Sequence, residues 1–300
     1  MKNIEIAKIC GLCAGCERAV NCAIKSLYSN NRIVLFKEIV HNKRVNLTLQ
    51  KHGVVLETEL TNLTKNDLVV LRAHGEPPKT YEYLNSRGIE YVDCTCVNVK
   101  NIHNSVQKYS GEGYDIVYLG KYGKFTNVMH PEVLGTLGYI STNVILIEDQ
   151  EDIKKINKIK TPKLYLVCQT TFNHKLADLI INKVQNLCRL KGIELIVNRS
   201  ICAVQQNINN SSLNLAKNSD VMVVVGSPNS SNTKELYNNL KDVTKCVFLE
   251  DIENWQSVFK ENNLDINSDI KIGITAGAST LKEDLLLLKI YIEKQSKISN

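Results

Sequence analysis

The chain has 300 residues, a net charge of +6, 43% hydrophobic residues and 23% charged residues, which is typical of a globular protein with two or three domains. It has no Lys/Arg-rich block, no N-terminal apolar signal and no apolar run near the ~20 residues that span a bilayer, so we expect a cytoplasmic protein that binds neither nucleic acid nor membrane. Ten cysteines are many for a compartment that disfavours disulfides, which favours metal binding or redox chemistry.

Short apolar runs alternate with helical patterns along the chain, beginning with an apolar run at 4–9. The other predicted strands are 33–36, 54–56, 68–71, 91–92, 115–119, 144–147, 164–167, 194–197, 221–225, 245–249 and 271–275. The predicted helices are 17–28, 79–87, 97–109, 174–190, 204–218, 233–240 and 281–295. This alternation predicts an α/β fold with mainly parallel sheets and with chemistry at the carboxyl ends of the strands. The charged segment 148–161 is predicted to be a solvated surface element.

Three cysteines share one position, directly after a predicted strand and at the start of a predicted helix: Cys13, Cys96 and Cys202. A helix N-terminus favours the thiolate form of a cysteine. The repeated position predicts three similar α/β units, at 13–96, 97–199 and 200–300, with the N-terminal strand 1–12 packing onto the third.

Several metal sites are compatible with these cysteines. Three thiolates that converge would hold an iron–sulfur cluster with one iron open, which acts as a Lewis acid and passes electrons. Cys10, Cys13 and Cys16 are an alternative, ferredoxin-like site, although the fourth ligand of that pattern is missing. A zinc site with Cys94 and Cys96 is a further alternative, although C-x-C is an unusual zinc spacing.

Histidines at strand ends are candidates for binding an anion. His41, His74 and His130 each follow an apolar run, and imidazolium groups around phosphate oxygens would bind them well. For any one of them alone, an ordinary surface histidine is the more common interpretation. Glu132 is a candidate general acid if it is buried, and Thr170 offers a hydroxyl donor, although loop and capping roles explain both residues as well.

Two loops rich in small polar residues also precede helices. The loop 226–233 reads Gly-Ser-Pro-Asn-Ser-Ser-Asn-Thr, and the loop 275–280 reads Thr-Ala-Gly-Ala-Ser-Thr. Free N–H groups at a helix start bind anions, although the Gly-Lys-Ser/Thr ending of a Walker A loop is absent. Each loop alone is compatible with simple turn chemistry, and together they predict a diphosphate pocket.

These motifs together resemble the LytB-type 4-hydroxy-3-methylbut-2-enyl diphosphate reductase family. The resemblance runs through Gly-Leu-Cys-Ala-Gly, Val-His-Asn, Ala-His-Gly, Asp-Cys-Thr-Cys, His-Pro-Glu-Val-x-Gly-Thr, Gln-Thr-Thr, Ile-Cys, Gly-Ser-x-Asn-Ser-Ser-Asn and Thr-Ala-Gly-Ala-Ser. It implies three α/β units around a central 4Fe-4S cluster that is ligated by Cys13, Cys96 and Cys202 and has one open iron. It implies a substrate site formed by His41, His74, His130, Thr170, Ser230, Ser231, Asn232 and Ser279, with Glu132 delivering protons. Cys10, Cys16 and Cys94 become non-ligands.

The resemblance implies reduction of an allylic diphosphate to isopentenyl and dimethylallyl diphosphate in the non-mevalonate pathway, with electrons from a donor such as ferredoxin or flavodoxin. The chain departs from the family pattern in a longer loop between Gly120 and His130, in Val97 at a usual proline, in the helix after Cys202, and in Leu281 where proline is usual. These departures leave open a paralogue with another substrate, and the clustered cysteines leave open a non-enzymatic metal-binding or redox-sensing protein.

Overall fold

A computed structural model describes residues 3–40, 42–158, 161–227, 230–265, 269–278 and 280–298. The strands in this part of the chain are β1 (Ile4–Ile6), β2 (Arg32–Phe36), β3 (Val55–Glu57), β4 (Asp67–Leu71), β5 (Glu90–Asp93), β6 (Asp115–Leu119), β7 (Val144–Ile147), β8 (Lys163–Cys168), β9 (Glu194–Asn198), β10 (Val221–Val225), β11 (Lys245–Leu249) and β12 (Ile272–Ala276). The fold is therefore α/β, as the alternation predicts.

The α-helices lie between these strands. They are α1 (Ala14–Ser26), α2 (Lys43–Lys51), α3 (Pro78–Ser86), α4 (Val97–Gly111), α5 (Pro131–Leu137), α6 (His174–Lys191), α7 (Ala203–Ala216), α8 (Ser231–Leu240), α9 (Trp255–Glu261) and α10 (Lys282–Ile298). Short 3₁₀ helices cover Leu60–Asn62, Gln150–Lys158 and Ile252–Asn254. None of the described helices is both long and apolar enough to cross a bilayer.

The chain divides into two compact units by its internal contacts. The first unit comprises Met1–Val20, Val40–Lys51 and Ala203–Asn300. Its sheet has the parallel order β1-β12-β10-β11, with Ile4 opposite Ile272 and Val221 opposite Lys245. The N-terminal strand thus completes a sheet whose other strands come from the last third of the chain.

The second unit comprises Asn21–Ile39 and His52–Cys202 and holds two further parallel sheets. Their strand orders are β3-β2-β4-β5 and β7-β6-β8-β9. When each sheet is numbered from its own first strand, both orders read 2-1-3-4. The sheet of the first unit follows the same order from β10 if β1 is counted as its fourth strand. Three sheets of one topology confirm the predicted fold class, and the residue boundaries proposed between three units stay a prediction.

Buried aliphatic side chains cover both faces of the central strands. In the first unit, Val221, Val223 and Val225 belong to one core cluster, whereas Met222 and Val224 belong to another on the opposite face. A parallel strand that is covered on both faces reads as a continuous apolar run. This is why the predicted bounds of β6 and β10 match the observed ones; those of the edge strands β7 and β11 match as well.

The structure also corrects the predicted elements. The short helices α2, α5 and α9 were not predicted. The segment 148–161 is only partly solvated as predicted: Gln150, Glu151, Lys154 and Asn157 are exposed, whereas Asp152 and Ile156 in its 3₁₀ helix are 2% and 1% exposed. Asp152 is buried with partners: it accepts from the Tyr122 hydroxyl at 3.1 Å and pairs with Lys155 at 2.9 Å.

Candidate active site

The candidate residues occupy equivalent places in the three sheets. The loops after the first strands carry His41, His130 and Ser230 to Asn232, the loops after the third strands carry His74, Thr170 and Ser279, and the fourth strands lead to Cys96, Cys202 and Cys13. In an open parallel sheet, ligands bind outside the carboxyl ends of the strands, near the point where the strand order reverses. The shared topology therefore explains why these residue types recur.

Glu132 is fixed in a buried position by the start of α5. His130 is the N-cap of this helix, its Nδ1 accepts the N–H of Glu132 at 3.2 Å, and Pro131 fills the first helical position. The carboxyl group, on a residue only 1% exposed, accepts the N–H of Thr170 at 2.7 Å and its hydroxyl at 2.6 Å. The Thr170 carbonyl accepts the N–H of Cys202 at 2.8 Å. Thr170 thus joins the predicted acid to a predicted ligand cysteine.

Burial raises the pKa of Glu132 from 4.5 to about 7, and the two hydrogen bonds from Thr170 offset part of that rise. A carboxyl group that titrates near neutrality exchanges protons with little driving-force penalty. Glu132 is therefore suited to general-acid chemistry, whereas a carboxylate on an exposed helix start is not.

Two of the three predicted histidines come together. The rings of His74 and His130 meet edge to face with centroids 5.5 Å apart. Nδ1 of His130 accepts the backbone N–H of Glu132, and a ring in this arrangement donates through Nε2. His41 lies outside the described residues.

A buried ion pair supports the loop that carries His74. Arg72 Nε lies 2.7 Å from Glu76 Oε1, with side chains 9% and 1% exposed, and Lys37 approaches the other carboxylate oxygen at 3.4 Å. Between these partners, Gly75 has φ +77°, and a Cβ there would lie 2.6 Å from Cε1 of buried His103. The sequence analysis missed Arg72, Glu76 and His103. The i, i+4 spacing of opposite charges on either side of His74 was the available signal.

The long loop before His130 is fixed in place. Oε2 of Glu148 accepts the N–H groups of Gly123 and Lys124, both at 3.0 Å. Lys124 Nζ pairs with Asp149 at 2.6 Å, and the N–H of His130 donates to the Lys121 carbonyl at 3.0 Å. These contacts fix the loop so that His130 lies at the start of α5.

Cys13 lies directly before α1, and its environment favours the thiolate. Its pKa falls from 9.0 to about 6, chiefly through a hydrogen bond from the Cys16 thiol, with burial opposing the shift and the N–H groups of Cys16 and Gly15 adding to it. The Cys16 N–H lies 3.4 Å from Cys13 Sγ. Cys13 is half-buried and therefore accessible to a ligand.

Cys96 and Cys202 belong to the second unit, and both are half-buried. Cys96 is the N-cap residue of α4, and Cys202 directly precedes α7. Asn98, in the first turn of α4, donates its amide to Cys202 Sγ at 3.5 Å. This contact, within the second unit, places the first turn of α4 beside Cys202.

The remaining cysteines near these positions have a different environment. Burial raises the pKa of Cys10, and Cys94 and Cys168 are 0% exposed. Soft thiolates at accessible helix starts suit iron in a sulfide cluster, so Cys13, Cys96 and Cys202 fit this group better than their buried neighbours. Among the described residues, no set of three or more His, Cys, Asp or Glu side chains is already gathered as a metal site.

The two small-residue loops of the first unit meet at Thr233. A Cβ on Gly226 would lie 2.9 Å from Thr233 Oγ1, and one on Gly277 would collide with the same oxygen, which is buried without a hydrogen-bond partner. Ser230 caps α8 by accepting the Thr233 N–H at 3.4 Å.

Gln205 of α7 reaches the first of these loops, because its side-chain amide donates to the Asn232 carbonyl at 3.2 Å. Gln205 was not predicted as a site residue from the sequence. Ser279 and the side chain of Ser231 lie outside the described part of the chain.

Comparison with known proteins decides the family. The family model described as LytB protein matches residues 4–286. The chain belongs to the LytB family. Every predicted site residue falls within the matched range, so the resemblance seen in the motifs extends through the whole candidate site.

Relatives of this LytB chain carry one enzyme name, 4-hydroxy-3-methylbut-2-enyl diphosphate reductase. The protein of that name from Clostridioides difficile is 31% identical over 93% of this chain and 94% of its own length. The one from Ehrlichia ruminantium (strain Gardel) is 34% identical over 96% and 84%.

Solved structures agree. A structure of (E)-4-hydroxy-3-methyl-but-2-enyl diphosphate reductase, described as the terminal enzyme of the non-mevalonate pathway, superimposes with a TM-score of 0.73 at 32% identity, over 98% of this chain and 100% of that one. The Plasmodium falciparum E-1-hydroxy-2-methyl-but-2-enyl-4-diphosphate reductase gives a TM-score of 0.79 at 27% identity, over 97% and 87%.

Proposed function

We propose that this protein is a 4-hydroxy-3-methylbut-2-enyl diphosphate reductase, which removes the terminal hydroxyl of its substrate and forms isopentenyl and dimethylallyl diphosphate. Membership of the LytB family supports the reaction class. The observation that carries the proposal is the hydrogen-bonded chain from the buried Glu132 carboxyl group through Thr170 to the backbone of Cys202. It joins a group that titrates near pH 7 to a helix-start cysteine.

Cys13, Cys96 and Cys202 would hold a 4Fe-4S cluster with one open iron. Each is half-buried at or directly before a helix start. When bound, the cluster supplies Lewis-acid and electron-transfer chemistry. The cysteines contribute the anionic sulfurs, and the helix starts set their orientation.

The diphosphate is anchored by donors from the first- and third-strand loops. We assign this role to His41, His74, His130, Ser230, Ser231, Asn232 and Ser279. The close approach of His74 and His130 and the meeting of the glycine loops at Thr233 support it, because each brings donors from two loops to one place. Thr170, at the opposite end of the substrate, contacts the hydroxyl that leaves.

Glu132 provides the proton for the departing hydroxyl. The net reaction takes up two electrons and two protons, breaks the allylic C–O bond and releases water. The carboxyl group donates from its acid form, and burial keeps that form populated up to about pH 7. Thr170 keeps the carboxyl group oriented through both of its oxygens.

The electrons come from an external protein donor, such as ferredoxin or flavodoxin. We place the enzyme in the cytoplasm.

Anaerobic reconstitution with iron and sulfide, followed by turnover of the allylic diphosphate under a strong reductant, tests the assignment. We expect substrate consumption, and Glu132→Gln should lower kcat about 10²–10⁴-fold while substrate still binds. Glu151→Gln is the matched control because the Glu151 side chain is 76% exposed, and its kcat should equal that of the parent. A loaded protein that leaves the allylic diphosphate intact rejects the assignment, and faster reduction of another allylic alcohol would assign it to a paralogue.

A further inference from the structure

Cys16 places a second thiol against Cys13. The segment Cys13-Ala14-Gly15-Cys16 is a C-x-x-C sequence at the N-terminus of α1, and Glu17 N–H closes the first helical turn on the Cys13 carbonyl at 2.8 Å. The Cys16 N–H lies 3.4 Å from Cys13 Sγ, and the Cys16 thiol also donates to that sulfur. Both residues are half-buried, so a small reagent reaches them. This contact has no part in the proposed reaction.

Cys10 is positioned differently from Cys16 with respect to Cys13. Its thiol donates to the Ala7 carbonyl at 3.1 Å and belongs to the core cluster with Val223 and Ile274. Cys13 packs against the cluster on the other face of the same sheet, with Met222 and Val224. Cys10 and Cys13 thus pack against clusters on opposite faces of that sheet, whereas Cys16 shares the first helical turn with Cys13.

We propose that Cys13 and Cys16 form a reversible disulfide in the cluster-free protein, so that oxidation closes one cluster position. The consequence for cluster loading rests on the proposed function, which makes Cys13 a ligand. The disulfide itself does not depend on it.

The chemistry balances with a hydroperoxide as oxidant. Cys13 sulfur attacks the peroxide oxygen and becomes a sulfenic acid, while the O–O bond breaks and one water leaves. Cys16 sulfur then attacks Cys13 sulfur, the S–O bond breaks, and a second water leaves. Two thiols and one hydrogen peroxide thus give one disulfide and two waters. A dithiol reductant reverses the step by exchange. The disulfide protects Cys13 from irreversible sulfinic and sulfonic acids.

The test uses the full chain, freed of cluster and reduced under anaerobic conditions. Hydrogen peroxide is added near stoichiometry, the remaining thiols are alkylated, and trypsin releases the peptide 9–18, which contains Cys10, Cys13 and Cys16. We expect this peptide to carry one alkyl group after peroxide and three after subsequent dithiothreitol. In Cys10→Ala the same peptide should carry no alkyl group after peroxide and two after dithiothreitol, which would assign the disulfide to Cys13 and Cys16.

Cys16→Ala is the informative variant, since alanine suits the first helical turn. Its Cys13 should progress to sulfinic and sulfonic acid under the same peroxide, and dithiothreitol should not restore it. Three alkylated cysteines in the treated parent peptide, or a crosslink from Cys13 to a different cysteine, would overturn the proposal.

Iron loading separates this inference from the cluster assignment. Peroxide-treated parent should take up as little iron as Cys13→Ala, and dithiothreitol should restore uptake in the parent but not in Cys16→Ala. Normal uptake by Cys13→Ala would reject the ligand assignment and leave the disulfide intact.

Discussion

The carboxyl group of Glu132 accepts two hydrogen bonds from a single residue, one from the N–H of Thr170 at 2.7 Å and one from its hydroxyl at 2.6 Å. Both hydrogen bonds favour the ionised carboxylate, whereas burial favours the neutral acid. Burial dominates, and the pKa reaches about 7. Thr170 thus tunes the acid as well as orienting it.

Thr170→Val should move the pH profile of turnover. In the proposed mechanism the neutral acid is the active form of Glu132, so kcat of the parent should fall as pH rises through about 7. Valine removes one hydrogen bond to the carboxylate, which raises the pKa further and shifts this alkaline limb upward by roughly one pH unit. Thr171→Val is the control, because the Thr171 hydroxyl contacts Gln169 instead. Coincident profiles for the parent and Thr170→Val would contradict the tuning role.

The same shifted pKa predicts a pH-dependent gain of stability in Glu132→Gln. Since the folded-state pKa of about 7 lies above the ordinary 4.5, the stability that the proton confers is complete below 4.5 and is lost as pH rises through 7. The variant has no such loss. The unfolding free energy of the cluster-free proteins is measured in urea at pH 5 and at pH 8. From the lower to the higher pH, the difference between variant and parent should change by roughly 3 kcal/mol in favour of the variant. A constant difference would mean that this carboxyl group titrates normally.

Gly75→Ala should destabilise the protein more than Gly113→Ala. Both glycines have positive φ, +77° and +84°, but a Cβ on Gly113 meets nothing within 4 Å, whereas one on Gly75 meets the ring of His103. Backbone strain of about 1–2 kcal/mol is common to both variants, and the collision adds about 1–3 kcal/mol to the first. Substrate KM should rise in Gly75→Ala alone because the change moves His74. Equal unfolding free energies for Gly75→Ala and Gly113→Ala would show that contact with His103 does not add to the destabilisation.

The strand positions were predictable because parallel strands covered on both faces are apolar throughout, as in β10. The short helices were harder to predict, although local signals existed. The side-chain oxygen of Asn42 accepts the Val45 N–H at 3.1 Å at the start of α2, and Pro131 opens α5. Both stretches were interpreted for the chemistry of His41, His130 and Glu132, and not as helix starts. The burial of Asp152 had no local signal, since its partners Tyr122 and Lys155 meet it only in the folded unit.

The helix-start cysteines were predictable from strand–turn–helix order alone. The supports of the site were not. Arg72 and Glu76 are charged residues that ordinarily face solvent, and only tertiary packing buries them around the His74 loop. Gln205 likewise acquires its role from a contact between α7 and the loop before α8.

Replacing one residue of the buried Arg72–Glu76 pair should lower the unfolding free energy more than replacing both residues. Glu76→Leu leaves the Arg72 guanidinium buried without the carboxylate of residue 76, so the unfolding free energy should fall by about 3–5 kcal/mol. The double replacement Arg72→Met with Glu76→Leu removes that buried charge and should recover most of the loss. Urea unfolding of the single and double variants measures the coupling, and additive losses would show that the pair is not coupled.

Cys96→Ser and Cys94→Ala should separate a ligand cysteine from its neighbour. Cys96 is half-buried as the N-cap of α4, whereas Cys94 is 0% exposed in the core. Serine lacks the soft sulfur that iron prefers, so Cys96→Ser should lose most of its iron and its visible iron–sulfur absorption after reconstitution. Cys94→Ala should retain both and lose only stability, by about 1 kcal/mol from the small cavity. Iron and sulfide determination on both proteins shows which of the two cysteines is the ligand. Full iron in Cys96→Ser together with loss of iron in Cys94→Ala would reverse the assignment.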